Sequence, residues 1–272
     1  MTLLNVNKQT CTQCGLCAVA CPAGIIYFRN KSFPRLLPGT DEFCIRCGHC
    51  VAVCPSGSLT HRESSVEQSI VLDNRLTVSF KQCARLIMGR RSVREFQKKN
   101  VTREKVRRII DVARYAPTGH NNQEVQWLVI NDPARIKVLA DIGTDWLRWT
   151  IKNNPEFAPM LGDFLKKQEE GLDMFLRDAP AVVIAFVEKN NPVAATDCVI
   201  ALSYFDLAAV SAGLGCCWAG LLNFAATSFP PMIKALALPE GCAPFGSLMV
   251  GYPRLRYRLV PARKPARIIW RP

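Results

Sequence analysis

Residues 11–22 read C-T-Q-C-G-L-C-A-V-A-C-P, and residues 44–55 read C-I-R-C-G-H-C-V-A-V-C-P. Both runs are C-x2-C-x2-C-x3-C-P, so Cys11, Cys14, Cys17 and Cys21 recur as Cys44, Cys47, Cys50 and Cys54. Three closely spaced thiolates wrap one iron–sulfur cube, and the fourth lies too far along the chain to close it. In a two-cluster arrangement the fourth cysteine of each run ligates the other cluster. The expected ligand sets are therefore Cys11, Cys14, Cys17 with Cys54, and Cys44, Cys47, Cys50 with Cys21, around two [4Fe-4S] clusters. Pro22 and Pro55 turn the chain away after the last ligand of each run, because proline cannot continue a helix. Structural zinc prefers paired half-sites and four ligands, which fits eight cysteines on one repeated spacing poorly. A disulfide framework belongs to secreted chains, and the opening MTLLNVNKQT shows no apolar signal-peptide core.

This segment resembles the bacterial two-cluster ferredoxins, with a longer insert over residues 22–43. It reads as an electron relay whose direction the sequence leaves open. The chain has 272 residues, 49% of them hydrophobic, and a formal charge of +13. That length allows one large domain or two modest ones with a real core. Such a charge raises nucleic acid as a partner, but each oxidised cube with its thiolates carries about −2, so two remove roughly four charges. A phosphate-bearing cofactor would remove up to about two more. The remainder is diffuse and lacks any nucleic-acid motif. It suits attraction to an acidic electron carrier, and no nucleic-acid partner is expected. Residues 207–229 are uncharged and long enough to span a bilayer. Gly213, Gly215, Gly220 and Asn223 interrupt them, so they read as helix, glycine turn and buried strand, with no membrane insertion expected. Thirteen cysteines, eight of them cluster ligands, point to a reducing cytoplasm.

Beyond the cluster runs, a short strand is expected at Ile25–Phe28 and a linker over residues 63–78. Phe80–Gly89 reads as a helix stopped by its glycine. Thr102 is a good N-cap for the helix that follows, where Val106, Ile109, Ile110 and Ala113 recur at helical spacing. Val125–Asn131 reads as a strand, and Asp132-Pro133 opens another helix as N-cap and first-turn proline. Residues 144–178 are amphipathic and aromatic. Ala181–Val187 is a continuous apolar run, hence a buried strand. A helix at Asp197–Ala212, a strand or turn at Cys216–Leu221, a short helix from Pro230 and a strand at Phe245–Tyr252 complete the pattern. Strands separated by helices predict an α+β domain whose sheet is covered by helices. The expected domains are residues 1–62, a linker at 63–78, and residues 79–272.

Four segments of the second domain carry a second resemblance: R-R-S-V-R-E-F (90–96), A-P-T-G-H-N-N-Q (116–123), G-L-G-C-C-W-A-G (213–220), and V-G-Y-P (250–253) with P-A-R-K-P downstream (261–265). In this order they resemble the nitroreductase family of FMN enzymes over residues 79–272. The whole chain therefore looks like a ferredoxin–nitroreductase fusion. The resemblance implies a dimeric α+β sandwich with FMN at the subunit interface. It implies that Arg90, Arg91 and Ser92 hold the FMN phosphate, a task suited to guanidinium forks, joined late in the chain by Arg263. It further implies that Pro117, Thr118, Gly119 and Asn121 line the flavin, and that backbone N–H groups of Ala219 and Gly220 lie near its N5. His120 is a weaker candidate for flavin or substrate contact.

The sequence departs from the family at Thr118, at Glu124-Val125, and at Ala219, where some relatives carry glutamate. No side-chain acid or base is assigned, since the flavin itself carries the chemistry. Trp146, Trp149 and Phe157 read as core or interface residues, with stacking on an aromatic substrate as the alternative. Cys83, Cys198, Cys216, Cys217 and Cys242 read as small buried hydrophobes.

The expected function is an FMN-dependent reductase fed through its own clusters by a ferredoxin or flavodoxin. Its acceptor would be a small organic molecule such as a nitroaromatic, quinone or activated alkene. One alternative is an NAD(P)H-driven enzyme with accessory clusters. Others are a non-enzymatic electron carrier or redox sensor, and a specialised flavin chemistry such as dehalogenation.

Overall fold

The computed structural model describes residues 2–29, 31–73 and 75–271. The chain divides into two compact units, residues 1–77 with 119–122, and residues 78–118 with 123–272.

The first unit holds β1 (Leu4–Val6), α1 (Leu16–Val19), β2 (Ile26–Tyr27), β3 (Arg35–Leu36), α2 (His49–Ala52) and β4 (Leu59–His61). β1 pairs antiparallel with β4, and β2 with β3. The cysteine repeat is also a backbone repeat. Residues thirty-three positions apart share unusual torsions, Gln13 and Arg46 at φ 53° and 54°, Gly24 and Gly57 at 63° and 61°. α1 and α2 each start from a left-handed glycine, Gly15 at φ 73° and Gly48 at 70°. Glycine is required at position 15 twice over, because a Cβ there would also stand 2.6 Å from the Phe28 ring. Ile25, Ile26, Val51 and Leu59 form a small core among the cysteines.

The second unit runs α3 (Phe80–Gly89), α4 (Arg103–Ala113), β5 (Gln126–Ile130), α5 (Pro133–Asn153), α6 (Ala158–Glu169), β6 (Ala181–Glu188), α7 (Ala194–Ser211), β7 (Gly215–Trp218), α8 (Gly220–Ser228), α9 (Pro230–Leu236) and β8 (Cys242–Gly251). The local signals explain the boundaries. Ser79 and Gln82 form a reciprocal capping box for α3. Thr102 accepts from Lys105 N–H to cap α4, and Asp132 caps α5 ahead of Pro133. The sheet is antiparallel in the order β5-β6-β8-β7. β6 reads as unbroken apolar because both its faces are covered. Val182 and Ile184 pack with α5, α8 and α9, while Ala181, Val183, Ala185 and Val187 pack with α4 and α7.

α7 is apolar and long enough to cross a membrane by length and composition. It packs on the sheet with Phe205, Leu202 and Ala209 buried, and it carries Asp197 and Asp206. The apolar stretch after it departs from the sequence reading. Following the left-handed Gly213 and β7, the chain forms a further helix, α8, rather than ending in a strand.

The interior tolerates little added volume at Gly143 of α5, where a Cβ would stand 2.4 Å from the buried Phe175 ring. Gly143→Ala is expected to cost about 1–3 kcal/mol by overpacking, seen as a lower denaturant midpoint. An unchanged midpoint would mean that Phe175 moves aside freely.

Candidate functional site

Two small cavities in the first unit are each lined by four cysteines. One holds Cys21, Cys44, Cys47 and Cys50 with Ile25, Ile45 and His61 around them. The other holds Cys11, Cys14, Cys17 and Cys54 with Val6 and Leu59. The fold thus groups the fourth cysteine of each run with the first three of the other. The donor chemistry asks for a positive core. Burial, then the neighbouring Cys47, Cys21 and Cys44, push the Cys50 thiol up to about 11 against a helping backbone N–H of Val51. Burial likewise raises Cys17, with Cys14 and Cys54 adding to it. At Cys54 burial is outweighed by N–H and hydroxyl donors from Ser58, Ser56 and Leu59, and the thiol falls below its ordinary value. Crowded thiolates of this kind become favourable around a cationic centre, as the iron of a cluster would supply. Among the described residues no three His, Cys, Asp or Glu converge closely enough to hold one ion.

One residue beside the second set escaped the sequence reading. His61, 3% exposed at the end of β4, places Nε2 3.5 Å from Cys44 Sγ. Its Nδ1 accepts the Glu63 N–H at 3.0 Å, and burial lowers its pKa. A lone histidine after the second run carries no motif. Only comparison with Phe28, thirty-three residues earlier, marks it out.

In the second unit, the segment after α3 docks beside β7. Ser92 bridges Cys216 in parallel, and Val93 N–H donates to Cys216 O at 2.9 Å. Arg90 Nη1 lies 3.3 Å from Asp206 Oδ2, a carboxylate only 5% exposed. Burial raises the Asp206 pKa, and Arg90 opposes that rise. Arg91 sets its guanidinium 5.6 Å from the Tyr257 ring. Its Nε is buried without a hydrogen-bond partner, as is Asp206 Oδ1. A buried donor left unpaired is costly, and an anionic oxygen would satisfy it. Gly220, the first residue of α8, follows Cys216 by about 13 Å of extended chain.

Other expected contacts fall differently. Ala219 N–H donates to Ser247 O at 2.9 Å, and Ser247 Oγ donates to Ala219 O at 3.0 Å. The Ala219 donor is therefore spent on the β7–β8 pairing, which leaves Gly220 of the suggested pair. Arg263 is exposed on the irregular segment after β8, and among the described residues no hydrogen bond or ion pair ties it to Arg90–Ser92. Pro117 is exposed, and Thr118 Oγ1 accepts Gln123 N–H at 3.0 Å. Gly119 opens the turn that groups with the first unit. There His120 is exposed in a left-handed conformation, and Asn121 Nδ2 donates to the Ile45 and Arg46 carbonyls at 3.2 Å each. The side-chain amide that resemblance aims at a flavin is thus bonded to the backbone between Cys44 and Cys47.

Trp146 is a core residue against Phe175, whereas Trp149 and Phe157 are partly exposed. Of the remaining cysteines, Cys198, Cys216 and Cys217 are buried. Cys242 is half-buried and Cys83 exposed on α3, correcting the expectation for those two. A cavity of about 400 Å³ lined by Lys98, Lys137, Asp173 and Asp178 includes none of the motif residues.

These features define a helix-covered antiparallel sheet in one unit and a small cysteine-rich module in the other. The nitroreductase family model matches residues 87–252, and the model of a 4Fe-4S dicluster domain matches residues 10–59. The chain belongs to the nitroreductase family, a family of oxidoreductases, and carries a 4Fe-4S dicluster domain ahead of the family fold. It is 29% identical over 177 residues to the FMN reductase (NAD(P)H) of Bacillus subtilis, covering 64% of this chain and 66% of that protein, just under two thirds. A putative NADH dehydrogenase/NAD(P)H nitroreductase of Methanothermobacter thermautotrophicus is 25% identical over 171 residues, 61% of this chain and 75% of that one. Among solved structures, a Bacteroides fragilis nitroreductase with bound FMN superposes with a TM-score of 0.53 at 22% identity, over 67% of this chain and 96% of its own. A BluB-like flavoprotein of Clostridium difficile gives 0.56 at 21% identity, over 70% and 96%. These two establish the shared fold.

Proposed function

We propose that the chain is an FMN-dependent oxidoreductase in which two [4Fe-4S] clusters pass electrons to FMN and on to a small organic acceptor, such as a nitroaromatic, quinone or activated alkene. The observation that carries this reading is the pair of four-cysteine cavities on a chain of the nitroreductase family. Cys11, Cys14, Cys17 and Cys54 would hold one cluster, and Cys21, Cys44, Cys47 and Cys50 the other. Arg90, Arg91 and Ser92 would take the FMN phosphate, with the unsatisfied Arg91 Nε as the strongest local argument. Pro117, Thr118 and Gly119 are assigned to the flavin surroundings by the family resemblance, as is Arg263 to the phosphate. Asn121 joins them only by exchanging its present bonds. FMN supplies the electron-transfer chemistry, and the chain supplies binding and orientation. Gly220 N–H, at the start of α8, is the donor left for the ring.

Placing relay and flavin on one chain raises their mutual effective concentration to about the millimolar range for a short tether. That favours a one-electron carrier such as a ferredoxin or flavodoxin as donor, in a reducing cytoplasm. The names of the relatives favour a second reading, in which NAD(P)H reduces the flavin directly. The two separate in an anaerobic optical experiment on the reconstituted holoprotein. Bleaching of flavin by reduced ferredoxin, and not by NAD(P)H, is expected for the relay. Bleaching by NAD(P)H alone would remove it.

The family resemblance also proposes a homodimer. α3 exposes Phe80, Ile87 and Met88, and the segment after β8 exposes Leu259, Ile269 and Trp270. Large apolar side chains exposed together suit an interaction site. Sedimentation is expected to give the mass of two chains, and removal of residues 255–272 to shift it toward one. A monomer at micromolar concentration would contradict the dimer.

A further inference from the structure

We propose that His61 is a positioning residue that donates an N–H···S hydrogen bond to Cys44 and thereby sets the two clusters at different potentials. The inference rests on the ligation proposed above. The geometry fixes which nitrogen carries the proton. Glu63 N–H donates to Nδ1 at 3.0 Å, so Nδ1 presents a lone pair and the proton sits on Nε2. Nε2 lies 3.5 Å from Cys44 Sγ, within range for a sulfur acceptor. The ring cannot easily turn away. It is buried at the edge of the β1–β4 ladder, opposite Leu4. A tight turn returns Ser64 N–H to its carbonyl at 3.1 Å. Glu63, which supplies the fixing N–H, is itself held by its carboxylate to Arg46 at 3.3 Å.

The internal repeat provides the comparison. His61 follows Cys54 at the interval by which Phe28 follows Cys21. Phe28 has no donor, and its ring fills the space above Gly15 instead. The two cluster runs share their cysteine spacing, and at this position of the repeat one carries an imidazole and the other a phenyl ring. The site of Cys21, Cys44, Cys47 and Cys50 has an imidazole N–H on a ligand sulfur. The site of Cys11, Cys14, Cys17 and Cys54 has no such ring donor, and its side-chain contact to a ligand sulfur is the Ser56 hydroxyl at the longer distance of 3.8 Å from Cys54 Sγ. A cluster gains one negative charge on reduction, mostly spread over its sulfurs. A donor aimed at a ligand sulfur favours that state and raises the potential. With the imidazole contact at 3.5 Å against the hydroxyl contact at 3.8 Å, the cluster on Cys44 is assigned the higher potential of the two.

The test is an EPR-monitored redox titration of the holoprotein, with iron and sulfide counted first. Wild type is expected to show two separated potentials. His61→Phe, which places the residue of the first repeat in the second, is expected to lower one potential and leave the other. A hydrogen bond to a charged acceptor is worth roughly ten-fold in an equilibrium, or about 59 mV for a one-electron couple. His61→Gln, whose amide N–H reaches to a similar distance, is expected to restore most of the shift. If His61→Phe loses iron, His61→Met against His61→Gln makes the same comparison. Two intact clusters with unchanged potentials in the donor-free variant would overturn the role of His61. An equal fall of both potentials would do the same. Iron for only one cluster in wild type would overturn the ligation reading, and this inference with it.

Discussion

Cys44→Ala is expected to slow flavin reduction by reduced ferredoxin by about 10²–10⁴-fold, the range lost when a tethered encounter becomes a bimolecular one, while FMN stays bound. Cys44 lines a cavity with Cys21, Cys47 and Cys50, and removing one thiolate of four opens the proposed cube. The damage should extend to the other cluster, because Cys21 and Cys54 are exchanged between the runs. The two cavities share one small core of Ile25, Ile26, Val51 and Leu59. The flavin site should be spared, since Arg90, Arg91 and Ser92 dock on β7 of the second unit. Stopped-flow bleaching of flavin at matched FMN content measures the effect. NAD(P)H, tried on the same variant, separates the readings. If NAD(P)H bleaches wild type and variant alike and ferredoxin bleaches neither, the clusters are accessory and the relay is wrong.

Much of this architecture was legible because its signals are local. The cysteine spacing alone named both sets of four, since a cube of fixed size leaves one thiolate of each run to spare. Capping residues marked helices to within a residue or two at Thr102 and Asp132. The apolar run at 181–187 could only be a strand covered on both faces. What stayed hidden depends on contacts distant in sequence. α8 was missed because Leu221–Phe229 has no charged residue and only Asn223, Thr227 and Ser228 to mark its outer face, so the segment reads as a buried apolar run. The helix starts at Gly220, directly after Ala219 N–H makes the last bond of the β7–β8 pairing to Ser247, twenty-eight residues on. The same bond removed a donor that the motif around Gly220 had suggested. Asn121 sits in a loop that reads as one element, yet its amide bonds to carbonyls seventy-five or more residues earlier. His61 carries no pattern of its own and gains meaning only from Cys44 and Glu63 beside it.

Arg91→Ala is expected to weaken FMN binding by about ten- to a hundred-fold, the worth of one hydrogen bond to a charged group, without lowering the stability of the flavin-free protein. The second half of that prediction distinguishes a ligand-binding arginine from a structural one. Arg91 Nε is buried and unsatisfied, so in the flavin-free chain it is a cost, and removing it is neutral or stabilising. Arg90 should behave in the opposite way. It faces Asp206, which burial pushes toward its protonated form. The sign follows from that raised value. Asp206 contributes most below the ordinary carboxylate value, and the contribution is lost as pH rises through the raised one. At neutral pH the ionised form depends on Arg90 at 3.3 Å. Arg90→Ala would strand that carboxylate. Breaking a fully buried pair costs about 3–5 kcal/mol, and this one should cost less because the Arg90 side chain is 27% exposed. Arg91→Lys should recover only part of the affinity, since an ammonium lacks the guanidinium fork. Fluorescence titration of FMN with chemical denaturation of the flavin-free variants reads both effects. Unchanged FMN affinity in Arg91→Ala would remove Arg91 from the phosphate site. A destabilised flavin-free Arg91→Ala would mean that its guanidinium serves the fold.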